Sequence, residues 1–75
     1  MPAELVERCT AARNAGADFP AVWDTVLRRH PLVDGIPAQM INDGRIQLEM
    51  RLITGQRLIH DSETRGYSLW PFPSR

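Results

Sequence analysis

Three short clusters hold the side chains with which this chain could do chemistry. Arg28, Arg29 and His30 stand side by side, His60, Asp61 and Glu63 fall close together, and Cys9 is the only thiol. Two guanidiniums beside an imidazole would suit a phosphate or a nucleic-acid backbone, because Arg presents a planar fork of donors to anionic oxygens. An imidazole beside two carboxylates would suit a divalent metal or a proton relay. A cysteine would need a depressed pKa to serve as a nucleophile. Which of these roles is open depends on the element that carries each cluster.

The basic trio runs directly into Pro31, which donates no hydrogen bond and disfavours helical geometry at His30. Upstream, Asp18 offers an N-cap, Pro20 lies near the first helical position, and Phe19, Val22, Trp23, Val26 and Leu27 recur along one face. The spacing predicts a helix over about 19–30, with the trio in its last turn. Cations there complement the negative end of the helix dipole by about 0.3–1 kcal/mol each, whereas phosphates prefer the opposite end and its free amides. The trio therefore reads as a helix terminator, with Arg28 and Arg29 left as rim contacts and His30 as a packed continuation of the apolar stripe.

A first helix is expected over about 3–14, where Leu5, Val6, Cys9 and Ala12 share a face. Glu4 and Glu7 come early, Arg8 and Arg13 late, and Glu4 with Arg8 forms a favourable i,i+4 pair. Gly16 supplies a left-handed stop. Cys9 falls on the buried face and reads as a small core residue.

After the connector from Leu32 to Pro37 the period changes to two. In RIQLEMRL, residues 45–52, Ile46, Leu48, Met50 and Leu52 alternate with Arg45, Gln47, Glu49 and Arg51, the pattern of a half-buried strand. Further strands are expected over about 38–41, 56–60 and 67–71. Around Asn42-Asp43-Gly44 two hairpins fit: a three-residue loop pairing Met40 with Ile46, or a two-residue turn pairing Ile41 with Ile46. At Ile53-Thr54-Gly55 a three-residue loop is favoured, since it sets Met50 against Leu58 and Leu48 against His60 on a common apolar face. Pairing His60 with Tyr67 then sets Leu58 against Leu69, and Arg57 against Trp70 on the other face, a cation over an indole.

The expected fold is a single α+β domain over residues 1–75, with two N-terminal amphipathic helices packed on one face of a three- or four-stranded antiparallel meander. A chain of this size buries only about 60% of the surface its unfolded form exposes, so the core is small. Arg51, Arg57, Ile59, Trp70 and Phe72 fall where two helices cannot cover them, and form the candidate interaction surface. Trp70 and Phe72 have a second option, folding back over a sheet edge to complete the core.

Composition narrows the function further. Hydrophobic residues make up 43% and charged residues 24%, and nine Arg balance nine acidic residues with no Lys. Neither half of the chain is basic, which disfavours nucleic acid as a partner. No apolar run approaches the roughly 20 residues of a membrane span, the N-terminus lacks the form of a signal peptide, and a lone cysteine suits a reducing compartment, so a cytoplasmic location is expected. No glycine-rich phosphate loop, HExxH or GxSxG motif occurs, and no catalytic, metal-binding or cofactor-binding residue is assigned. The expected role is a non-enzymatic protein-interaction module or accessory subunit, whose partner is another protein or a second copy, through the open face or an exposed sheet edge. No small-molecule substrate or cofactor is expected. A winged-helix-like nucleic-acid binder, using Arg29, Arg57 and Arg65 on phosphates, is the alternative, and a domain with no partner surface is the second alternative.

Overall fold

The apolar faces read from the sequence meet as two layers. The computed structural model describes residues 1–71, so Phe72 lies outside the described residues. Helix α1 spans Pro2–Asn14 and buries Leu5 and Cys9, with Val6 and Ala12 partly buried beside them. It ends in a Schellman motif: Gly16 adopts φ +103°, its N–H donates to the Arg13 carbonyl, and the Ala17 N–H donates to that of Ala12. Glu4 and Arg8 do not form an ion pair; on the helices Asp24 and Arg28 do, at 2.6 Å.

The second helix departs from a simple α-helix over 19–30. Helix α2 covers Phe19–Val22, with Asp18 accepting a hydrogen bond from the Ala21 N–H, and continues as a π turn over Trp23–Leu27. Thr25 explains the slip. Its hydroxyl donates to the Ala21 carbonyl at 2.7 Å and so competes with the acceptor of the Thr25 N–H; the Arg28 N–H then donates to Trp23, five residues back. The wider turn has a packing benefit, because it brings Val22 and Leu27, both fully buried, onto the same side. Arg28 and Arg29 lie in the turn that follows, ahead of Pro31.

Four strands form one antiparallel sheet in sequence order: β1 Ala38–Asn42, β2 Arg45–Arg51, β3 Arg57–Asp61 and β4 Tyr67–Trp70. The first hairpin is the two-residue alternative. Ile41 pairs with Ile46 and Asn42 with Arg45, while Asp43 (φ 52°) and Gly44 (φ 74°) take the two left-handed positions of a type I′ turn. The second hairpin keeps the three-residue loop, with Met50 against Leu58 and Leu48 against His60. Strand β4 sets Leu69 against Leu58 and Tyr67 against His60. The connector also joins the sheet, through an isolated bridge between Val33 and Leu52.

The core consists of Leu5, Cys9, Val22, Leu27, Met50, Leu52, Leu58 and Leu69. None of these residues comes from β1, because α1 lies against β4 and the helical layer does not extend to the opposite edge. Ile41 and Ile46, which point to the helix side, are accordingly 74% and 46% exposed. Leu58→Ala is expected to lower the unfolding free energy by about 2–5 kcal/mol. Ile53→Ala, at an exposed loop position, should stay within about 0.5 kcal/mol of the parent in the same urea titration.

Candidate functional site

Strand alternation sends every second side chain away from the helices. On that helix-free face stand Met40 from β1, Arg45, Gln47, Glu49 and Arg51 from β2, Arg57, Ile59 and Asp61 from β3, and Ser68 and Trp70 from β4. Trp70 is 55% exposed and Ile59 half-buried. Together with Met40, Gln47, Glu49 and Arg57 they line a shallow depression of about 300 Å³. Of the candidate surface residues, Arg51, Arg57, Ile59 and Trp70 thus share one face. Arg28 and Arg29 do not line this depression; Arg28 is held by Asp24.

Ion pairs organise the charges of this face. Arg45 meets Asp61 at 3.1 Å, and Arg57 reaches Glu49 at 3.4 Å. Arg57 therefore turns toward β2, and the expected cation over the Trp70 indole is not formed, although register places the two residues opposite each other. The choice has an electrostatic cause. Arg51 sits directly across from Arg57 in the β2–β3 register, and the Glu49 carboxylate offsets that like-charge pairing. Arg51 makes no ion pair among the described residues; it lies on the same face and lines a separate depression with Asp34, Ile36 and Glu49.

The His60, Asp61, Glu63 cluster is taken apart by the same alternation. His60 points into the layer between helices and sheet, 7% exposed, while Asp61 points the other way. The Asp61 carboxylate accepts the backbone N–H groups of Glu63 and Thr64 at 2.8 and 3.0 Å. Those hydrogen bonds, that from Thr64 foremost, hold its pKa below the usual carboxylate range. Its part is to fold the β3–β4 loop. Among the described residues no three His, Cys, Asp or Glu side chains converge on a metal-sized space. Cys9 is buried, and burial pushes its thiol up to about 11 against the opposing pull of Arg8.

The structure adds an aromatic stack that sequence reasoning missed. The His60 ring lies between Phe19, at 4.9 Å between centroids, and Tyr67, at 4.8 Å. Its Nδ1 is sealed from solvent and has no hydrogen-bond partner among the described residues. Burial holds the imidazole pKa below 6.5, with Asp61 raising it and Arg65 lowering it. The pairing with Tyr67 was legible from strand register, but the contact with Phe19 crosses layers and leaves no trace in local spacing. Burial likewise pushes the Tyr67 hydroxyl up to about 12.

Compared with known proteins, the chain matches no family model, no curated protein and no solved structure. No helix among the described residues is long and apolar enough to cross a membrane.

The buried imidazole makes stability pH-dependent. Because the folded pKa of His60 lies below 6.5, the unfolded chain binds more protons between the two values. Its contribution is thus fully present above the unfolded pKa and is lost as pH falls through the interval. Urea midpoints measured from about pH 7.5 down to about pH 5 should fall for the parent and fall less for His60→Phe. Equal slopes would mean that His60 is not buried neutral. His30, whose pKa burial also lowers, titrates in both proteins and cancels from the comparison.

Proposed function

We propose that this chain is a small non-catalytic protein-interaction module or accessory subunit that docks through the helix-free face of its sheet. One observation carries the reading: Trp70 stands 55% exposed on that face, at the border of the depression that Ile59 and Met40 line. Exposed tryptophans are costly to leave in water and are the commonest anchors of protein interfaces. A cation on the same face defines the partner more closely. A fitting partner presents an apolar side chain or loop to Trp70 and Ile59, and a carboxylate to Arg51, which forms no ion pair among the described residues. A cytoplasmic location fits the single buried thiol.

The test starts from proteins retained by the immobilised chain but lost on Trp70→Ser. Each is then purified and titrated against both forms. A true partner should bind Trp70→Ser at least about 30-fold more weakly, the equivalent of a hot-spot loss of about 2 kcal/mol. Its amide shift changes should cluster at Arg51, Arg57, Ile59 and Trp70. A partner that binds both forms equally, or whose shifts map to α1, would show that docking uses another surface.

A further inference from the structure

The two edges of the sheet are not equivalent. Strand β4 is four residues long, lies against α1 and stops at Pro71. Strand β1 is less guarded: none of its five residues, Ala38-Gln39-Met40-Ile41-Asn42, is buried, and none is charged or a proline. Natural edge strands are usually blunted by charge, proline or a covering element, because an open row of amides templates pairing with another strand.

The direction of those amides follows from the hydrogen bonds around β2. The Arg51 carbonyl accepts from the Asp34 N–H on the connector side, whereas the Ile46 carbonyl accepts from the Ser62 N–H on the β3 side. Odd-numbered residues of β2 therefore turn their backbone groups toward β1, and even-numbered ones toward β3. Ala38, Met40 and Asn42 pair with Glu49, Gln47 and Arg45, so their groups point inward. Gln39 and Ile41 consequently direct both N–H and C=O to the open edge.

We propose that β1 pairs antiparallel with β1 of a second copy of this chain, about a two-fold axis at Met40, joining two sheets into one of eight strands. In this register Gln39 of each copy faces Ile41 of the other, and the two residues exchange both bonds. All four edge-facing donors of the dimer then meet all four acceptors. Neighbouring registers do worse. An axis at Gln39 sets Ile41 against Pro37, which has no N–H, and an axis at Ile41 sets Gln39 against Asp43, whose φ of 52° is not extended. Side chains agree with the pairing, because a strand without charge meets its own copy with no like-charge repulsion. Ile41 and Ile46, uncovered on the helix side, gain cover from the neighbouring copy.

A five-residue edge runs about 17 Å. Even with the isoleucines at its rim it falls at the small end of interfaces, below about 1,200 Å² in total, and such a dimer dissociates reversibly in the micromolar range. The pairing uses an edge, not the open face, and stands without the docking reading above.

Sedimentation of the parent from about 1 µM to about 1 mM should show a reversible monomer–dimer equilibrium. Gln39→Pro removes an edge donor that serves no internal bond, and Ile41→Lys places a charge on the edge. Each should raise the dimer dissociation constant at least about tenfold while keeping the parent's circular dichroism. Trp70→Ser should leave it unchanged. In a mixed-label dimer, an intermolecular contact between the two Met40 Hα atoms is expected, since Met40 forms the close, non-hydrogen-bonded pair. A parent that stays monomeric throughout the range overturns the proposal. So does a dimer that survives both edge variants, or one dispersed by Trp70→Ser alone, which would place the contact on the open face.

Discussion

The helical segments of this chain are enough to cover part of one sheet face and no more. Helix α1 has thirteen residues and α2 with its π turn runs only from Phe19 to Leu27. Together they seal Met50, Leu52, Leu58 and Leu69 on the β2–β4 side of the sheet. Removing those side chains from water, at roughly 25 cal/mol per Å² of apolar surface, is the main force that holds the layers together. Every other feature is a consequence of how far that cover reaches. Beyond it lie Ile41 and Ile46, behind it lies the whole opposite face, and at its rim lies the His60 stack.

The rim shows how the fold handles a polar group next to so small a core. His60 occupies a position whose register neighbours are Leu48 and Tyr67, facing the helices. An imidazolium there would be desolvated, so burial favours the neutral form. Flanking rings of Phe19 and Tyr67 give the neutral ring stacking area in place of hydrogen bonds. The π turn serves the same end in the other layer. By slipping the ladder one residue it aligns Val22 with Leu27 over the core, leaving Phe19 at the segment's start to meet His60.

Much of the β architecture was legible because strand alternation is a period of two and its register follows from turn length. The β2–β3 pairing, and the sorting of Arg51, Arg57 and Ile59 to one face, follow from RIQLEMRL and the ITG loop; the β3–β4 register, with Trp70 on that face, follows once His60 is set against Tyr67. What escaped the sequence depended on contacts across elements. Thr25 looks like an ordinary solvated helix residue until its hydroxyl is seen on the Ala21 carbonyl. Arg57 has both Glu49 and Trp70 within reach by register, and the like charge of Arg51 tips it toward Glu49. The first hairpin fitted two loops on paper. The two-residue form leaves Ile41 on the helix side beyond the reach of either helix, a cost invisible to a count of alternating residues.

The most direct test of this arrangement is the solvent exposure of Trp70. Replacing Trp23 with Phe leaves Trp70 as the sole indole, and its fluorescence can be read at concentrations where sedimentation shows monomer. An indole on an uncovered face should emit near the wavelength of free tryptophan in water and be quenched by acrylamide almost as readily. Blue-shifted emission with strong protection from the quencher, in a monomer of unchanged circular dichroism, would contradict the one-sided cover on which the docking face rests.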